Sequence, residues 1–234
     1  MERWNGTMKK IADGVAELDL LMDFGSRQMV IHPTLLWDDE HVVLVDTGFP
    51  GMLGAIQSEM KLAGVSFDRL TTVILTHQDF DHVGGLPEIR QSLPKSIEVI
   101  AHEVERPYIE GDKVPIKHNP SRGEPLKSKV DTLAADGEVL PYAGGLTVIF
   151  TPGHTPGHIS LYHGRSKTLI TGDAIVSDSG TLIGPNEQMT KDVALAWNSI
   201  ARFADFDVST VVCYHGGLCD TDVNLQFANL VASR

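Results

Sequence analysis

Four side chains of types that bind metal ions fall within six residues, at His77, Asp79, Asp81 and His82. The run directly follows an apolar, β-branched stretch, and a strand that ends in a turn can point several side chains at one place. Carboxylates held this close repel each other, and a bound dication removes that repulsion. The motif therefore indicates a metal site. The alternative is an exposed polar turn with chance histidines, which the recurrence of similar residues downstream makes the weaker interpretation.

Three later strand ends each deliver one more residue of a ligand type. His154 lies between two Pro-Gly pairs, which predict a rigid turn, Asp173 follows a glycine, and His215 precedes two glycines. None of these motifs is specific alone, since a Gly-Asp pair usually marks a turn. Because four predicted strands all end in ligand-type residues, we expect the side chains to meet in one metal centre.

Two further polar residues are expected to orient the ligands. Asp46 ends another strand-like stretch, and a metal-bound histidine usually donates its second N–H to a carboxylate or carbonyl. The alternative is that Asp46 only caps the following turn. His158 is interpreted as a buried histidine hydrogen-bonded to the turn around His154, and not as a ligand.

The elements that position these residues follow from the pattern of apolar and β-branched residues. Strands are predicted at 29–37, 41–45, 72–75, 97–101, 146–150, 159–162, 168–170 and 210–214. Helices are predicted at 51–63, at 190–203 with a cap-like Thr190, and at 222–232. This order suggests two mixed sheets packed face to face, with helices on the outer faces. The whole chain, 1–234, is expected to form one domain.

Residues 103–129 differ from the rest of the chain, because they hold four prolines and many charges. Such loops are often lids over a functional site, and a solvated insertion is the alternative. As a lid, the segment is expected to bring Tyr108 and His118 to a substrate, since pocket loops use aromatic and polar side chains to orient small molecules.

The composition narrows the class of partner. The chain has 234 residues and a formal net charge of −12, which counts against binding to nucleic-acid phosphates or to an anionic membrane. We expect a small-molecule substrate, no nucleic acid and no membrane, and a homodimer is left open. A cytoplasmic location is expected, because the N-terminal residues lack an apolar signal core and two cysteines make no disulfide framework.

In this order, the motifs resemble those of the metallo-β-lactamase superfamily over about residues 40–217. The resemblance implies an α/β fold, a four-layer αβ/βα sandwich, with two divalent metal ions at one edge and zinc as the expected metal. Under the resemblance, one ion takes His77, Asp79 and His154, the other takes Asp81, His82 and His215, and Asp173 bridges the two.

The chain departs from the superfamily pattern at Asp79, where most members have histidine. An anionic oxygen replaces a neutral nitrogen, which favours harder ions such as Mn²⁺ or Fe²⁺ relative to Zn²⁺. The flavodiiron oxidoreductases of the superfamily also place a carboxylate there, so a di-iron or mono-iron oxidoreductase is an alternative function.

The activity that the resemblance implies is hydrolysis of a small ester, lactone or thioester. Two dications supply hydroxide at neutral pH, and Asp81 is expected to orient the nucleophile or pass a proton. Only nineteen residues follow His215, which counts against the glutathione-binding helical domain of glyoxalase II. Val176 stands where lactonases of the superfamily usually place a tyrosine. A phosphodiesterase is a further alternative.

Overall fold

The computed structural model describes residues 8–23, 25 and 28–232. The strands within these residues are β1 (Lys9–Ala12), β2 (Val15–Glu17), β3 (Leu20–Asp23), β4 (Gln28–Ile31), β5 (Thr34–Trp37), β6 (Val42–Val45), β7 (Thr72–Ile74), β8 (Glu98–His102), β9 (Thr132–Ala134), β10 (Val139–Leu140), β11 (Leu146–Phe150), β12 (Ile159–His163), β13 (Thr168–Gly172), β14 (Val176–Asp178), β15 (Thr181–Gly184), β16 (Thr210–Cys213) and β17 (Gly217–Cys219). The α-helices are α1 (Leu53–Leu62), α2 (Phe80–Val83), α3 (Leu86–Ser92), α4 (Arg106–Ile109), α5 (Val193–Ala201) and α6 (Val223–Ala232).

The first sheet has the strand order β1-β2-β5-β6-β7-β8-β9, and β6 to β9 run parallel. Strand β6 reads Val-Val-Leu-Val and is buried at every position, as expected of a parallel strand covered on both faces. Val43 and Val45 pack in the layer between the sheets, whereas Leu44 packs with the helix residues Ile56 and Met60. The four apolar residues of β6 therefore belong to two hydrophobic cores, one on each face of the strand.

The second sheet has the order β10-β11-β12-β13-β16-β17. Strands β13 and β16 run parallel, and the neighbouring pair β11–β12 is antiparallel. Along β11, Val148 packs toward the first sheet while Ile149 packs with α5 and α6 residues such as Ile200 and Phe227. The side chains alternate because successive strand residues point to opposite faces.

Helices thus cover the outer face of each sheet, with α1 and α3 on one side and α5 and α6 on the other. The layers follow in the order helix, sheet, sheet, helix, which confirms the predicted αβ/βα sandwich. Each fully buried Val, Leu or Ile contributes about 1.5–3 kcal/mol relative to an exposed one. These three apolar layers hold the strand ends in fixed positions. No helix among the described residues is long and apolar enough to cross a membrane.

Two sequence-based predictions about elements were wrong. Residues 29–37 form two strands and not one, because Pro33 has no N–H to donate and the His32 N–H donates instead to the Tyr214 carbonyl at 3.0 Å. The helix predicted from Thr190 begins at Val193. The Asp192 side chain caps it by accepting the Leu195 N–H, while the Thr190 hydroxyl donates to the Asn186 carbonyl.

The two sheets are joined at the edge where β6, β7, β13 and β16 end. The N–H of Ile159, the first residue of β12, donates at 3.0 Å to the carbonyl of Thr76, which lies two residues after β7 of the first sheet. Residue Ile31 also forms an isolated β-bridge with His215. The loops that follow these strands therefore face one another across the junction of the sheets.

Candidate metal centre

The loop after β7 carries the first group of candidate ligands. Asp79 stands at the N-terminus of the short helix α2, and the His82 N–H donates to the Asp79 carbonyl at 2.9 Å. This turn returns His82 toward His77, so that their ring centroids lie 4.0 Å apart. The Tyr214 hydroxyl donates to the Asp81 carbonyl and ties the same turn to the end of β16.

Asp46 organises this loop from the end of β6. Its carboxylate accepts the Thr76 N–H at 2.8 Å and the Thr76 hydroxyl at 2.7 Å, and it contacts the His82 Nδ1 at 2.8 Å. The Nδ1 proton of His82 is thereby fixed, and Nε2 is left to face the centre. Asp46 adopts a φ of 63°, a conformation that costs a non-glycine residue about 1–3 kcal/mol and clusters at functional sites.

His158 holds the backbone of Asp173 in place through a hydrogen bond. The Asp173 N–H donates to the His158 Nε2 at 3.0 Å, so the His158 proton lies on Nδ1, which contacts the Thr151 hydroxyl at 2.8 Å. Burial holds the pKa of His158 well below its usual range, in agreement with a neutral ring. Gly172 has a φ of +52°, and a Cβ there would approach the His158 Nε2 to 2.7 Å. Only glycine fits this approach to the ring.

The seven candidate ligands form two adjoining groups. In one, the Asp79 Oδ2 lies 3.3 Å from the His77 Nε2 and 3.0 Å from the His154 Nε2. In the other, the His215 Nε2 lies 3.2 Å from the Asp81 Oδ2. Within each group, one donor atom from every residue lies within 4.8 Å of the others, and the groups are His77-Asp79-His154-Asp173 and Asp81-His82-His215.

Asp173 connects the two groups. Its Oδ1 lies 3.3 Å from the His82 Nε2, while its Oδ2 lies 3.2 Å from the His154 Nε2 and 3.4 Å from the His215 Nε2. One carboxylate thus contacts imidazoles from both groups. The structure brings together all seven residues that the sequence singled out as ligands.

The donor atoms fit divalent metal ions in number, type and spacing. Two ligands that each lie about 2.1 Å from one ion are about 3.0–3.4 Å apart in octahedral or tetrahedral geometry. The observed separations between neighbouring donors cover the same range. In addition, the buried Nε2 atoms of His77 and His82 and one carboxylate oxygen each of Asp79 and Asp173 have no hydrogen-bond partner. Buried polar atoms are rarely left unpaired, so this set favours a bound cation.

The charges around the centre also favour a bound cation. Burial alone would lower the pKa of His82, but the carboxylates of Asp173, Asp46 and Asp81 raise it well above its usual range. Burial would likewise lower the pKa of His215, but the carboxylates of Asp173 and Asp81 raise it to about 10. The carboxylates therefore hold positive charge at this point, as protons on the histidines or as metal ions that replace them.

Lys117, which reaches the centre from the segment 103–129, was missed by the sequence analysis. Its Nζ lies 2.5 Å from the Asp79 Oδ2 and 2.6 Å from the His154 Nε2. The neighbouring Ile116 N–H donates to the Gln78 Oε1 at 2.8 Å. The segment thus folds onto the edge that carries the candidate ligands, although only its general charge and its prolines marked it in the sequence.

Glu105 was also missed. It is fully buried, and its two oxygens accept four hydrogen bonds from the loops around Asp79 and His154. The donors are the Gln78 N–H and side-chain amide, the Thr155 hydroxyl and the Gly157 N–H, at 2.7–3.0 Å. A lone glutamate in a charged segment carries no signal of this role.

A cleft of about 910 Å³ opens on the centre, lined by five candidate ligands together with Lys117 and apolar residues such as Phe49, Val176 and Met189. This volume lies in the range of small-molecule sites. Tyr108 and His118 line a separate side cavity that shares Asp79 and Lys117 with the cleft. Their contact with a substrate stays a prediction.

Comparison with known proteins identifies the family. A family model described as "Metallo-beta-lactamase superfamily" matches residues 28–215. The chain belongs to the metallo-β-lactamase superfamily. The "Probable metallo-hydrolase YflN" of Bacillus subtilis (strain 168) is 32% identical over 200 residues, which cover 74% of this chain and 75% of that protein.

Two further comparisons extend the picture. A hydroxyacylglutathione hydrolase of Yersinia pestis (strain Pestoides F) is 30% identical over 197 residues, and the match covers 82% of this chain and 62% of that protein. A metallo-beta-lactamase family protein of Thermus thermophilus superposes with a TM-score of 0.72 over 96% of this chain and 80% of that chain, at 22% identity. At that identity the likeness shows the fold, which agrees with the layers described above.

Proposed function

We propose that the chain is a metal-dependent hydrolase that cleaves a small ester, lactone or thioester at a centre of two divalent ions. The observation that carries the proposal is the position of Asp173, whose carboxylate contacts one imidazole of the first group and two of the second. A carboxylate shared in this way suits a centre that holds two ions side by side.

Divalent ions bound here would supply Lewis-acid polarisation of a scissile carbonyl and activation of a water. The chain's own residues hold the donors in place, since Asp46 fixes the His82 tautomer and His158 fixes the Asp173 backbone. Asp81 is the proposed proton carrier. Its side chain remains 20% exposed and lies beside the cleft, whereas Asp79 and Asp173 are less than 10% exposed. A carboxylate open to the cleft can pass a proton to a leaving group.

The shape and chemistry of the cleft support a small acyl substrate. Its volume suits a small molecule, and its apolar walls at Phe49, Val176 and Met189 suit an organic acyl group. Among these three substrate classes, thioesters are the first to test, because relatives named hydroxyacylglutathione hydrolase are 28% and 30% identical to this chain. Zinc is the proposed metal, and Mn²⁺ and Fe²⁺ are the alternatives because Asp79 offers an oxygen where most members of the superfamily have a histidine nitrogen.

The test has two parts. Protein produced in the presence of zinc, manganese or iron is analysed for metal content, and each form is assayed on thioesters, lactones, aryl esters, β-lactams and phosphodiesters. We expect close to two ions per chain and turnover of at least one carboxylic ester, lactone or thioester. Asp173→Asn should remove most of this activity, while the exposed Asp205→Asn serves as the matched control and should leave it unchanged.

Three outcomes would contradict the proposal. Turnover of phosphodiesters alone would overturn the acyl assignment. Oxygen consumption by the iron form, with no hydrolysis of any compound, would assign the chain to the oxidoreductases instead. Metal content that stays below one ion per chain in every preparation would refute the two-ion centre itself.

A further inference from the structure

Lys117 occupies one half of the centre. We propose that its ammonium competes with a metal ion for Asp79 and His154, so that the two ions of the centre bind with unequal affinity. The inference rests on the proposed two-ion centre and concerns the order and strength of binding. It assigns to the segment 103–129 a direct effect on metal occupancy.

The competition follows from the atoms that Lys117 contacts. Its Nζ lies 2.6 Å from the His154 Nε2, which faces Asp79 and Asp173 and is the nitrogen that would hold an ion. A neutral imidazole nitrogen has one lone pair, which can accept a hydrogen bond or bind a metal but cannot do both. The same ammonium lies 2.5 Å from the Asp79 Oδ2. An ion that takes these two atoms must therefore displace Lys117.

The other half of the centre has no such competitor. Within the described part of the chain, no lysine or arginine forms an ion pair with Asp81 or Asp173, whose ionic contacts are all with histidines. An ion at Asp81, His82 and His215 therefore displaces no lysine or arginine side chain. We therefore expect this half to bind the tighter ion and the Asp79 half to bind the weaker one.

The segment around Lys117 allows the displacement. The backbone is anchored one residue earlier, where the Ile116 N–H donates to the Gln78 side chain, which Glu105 holds in turn. The Lys117 side chain itself is 22% exposed and lines both the cleft and the side cavity. The ammonium can thus swing into the cleft while the anchor stays in place. It would then be the one lysine or arginine among the described lining residues of that cleft.

The experiment measures metal binding and needs no substrate. Chelator-treated wild type, Lys117→Met and Lys127→Met are titrated with Zn²⁺ and with Mn²⁺ by calorimetry and equilibrium dialysis. Methionine keeps much of the length of the side chain and removes its charge. Lys127 is an exposed lysine of the same segment and provides the matched control. Urea unfolding of each variant, without metal, checks that the chain is folded.

We expect two binding steps in wild type and in Lys127→Met. In Lys117→Met the weaker step should become at least about tenfold tighter, because two charge-assisted hydrogen bonds no longer oppose it, and the tighter step should be unchanged. A second measurement is hydrogen exchange of the Ile116 amide, which should stay protected in wild type when the second ion binds, because the side chain moves and the anchor to Gln78 stays.

The outcomes separate this inference from the proposed function. Two ions that bind with the same constants in all three proteins would refute the competition and leave the metal centre intact. A weaker second step in Lys117→Met would also refute it, because Lys117 would then assist the ion. No metal binding by any of the three folded proteins would refute both the inference and the proposed function.

Discussion

Replacing Glu105 with glutamine should loosen the candidate metal centre without changing any candidate ligand. The carboxylate accepts two hydrogen bonds from Gln78, next to Asp79, and two from Thr155 and Gly157, beyond His154. It thus joins two loops that carry candidate ligands of one group, Asp79 and His154. Glutamine has nearly the same shape, so the substitution changes the hydrogen-bonding capacity and leaves the packing alone.

The magnitude follows from the count of donors. All four partners donate, at 2.7–3.0 Å, and Glu105 is fully buried. A glutamine side chain offers one acceptor oxygen, and its NH₂ group would face two of the donors. Two buried donors would lose their acceptor, and each costs about 1–3 kcal/mol. We therefore expect the free energy of unfolding to fall by about 2–6 kcal/mol.

The assay is urea unfolding of metal-free wild type, Glu105→Gln and Glu103→Gln, followed by metal titration of each. Glu103 is exposed two residues away and should unfold like wild type. Because the loops around Asp79 and His154 would no longer be held together, the affinity for metal in Glu105→Gln should fall by about 10- to 100-fold. A stability within about 0.5 kcal/mol of wild type, as is usual for surface substitutions, would refute this account of Glu105.

Three further predictions concern the centre and its surroundings. Removing metal with a chelator should lower the midpoint of thermal unfolding by about 5–10 °C, since an ion present at a hundredfold of its Kd stabilises by about 2.7 kcal/mol; an unchanged midpoint in calorimetry would count against a bound ion. Asp79→His should shift metal preference toward Zn²⁺ in competitive loading, because it replaces an oxygen ligand by imidazole, and an unchanged preference would mean that Asp79 is not a ligand. Burial raises the pKa of Glu59, so the folded chain favours the protonated carboxyl. The folded chain therefore loses stability as the pH rises through that pKa and the buried carboxyl becomes charged. Glu59→Gln should then raise the free energy of unfolding by about 1 kcal/mol at about pH 7.5 and by less near about pH 4. An equal gain at the two pH values in urea unfolding would contradict this prediction.

The central strands were predicted well from the sequence and the outer ones poorly, for a physical reason. A strand such as β6 is buried on both faces, so its four apolar residues stand out. Strand β10 has only two residues, and β1 is exposed or half-buried along its length. Their pairing depends on the neighbouring strand and not on their own composition. The break at Pro33 was missed, although a proline inside a predicted strand could have indicated it, and nothing in the sequence indicated the carbonyl that accepts the His32 N–H.

The candidate ligands and the family follow from the sequence, because the ligands lie at strand ends and each motif is contiguous in the chain. What surrounds the ligands depends on the folded chain. Lys117 meets Asp79 and His154 across 38 and 37 residues, and Glu105 joins loops that lie 27 and 50 residues away from it. A lysine or glutamate in a polar loop has no local pattern that marks its partner, since the partner is set by how the loop packs on the sheet edge. Tertiary packing therefore decides where Lys117 and Glu105 lie, whereas the candidate ligands could be named from the sequence.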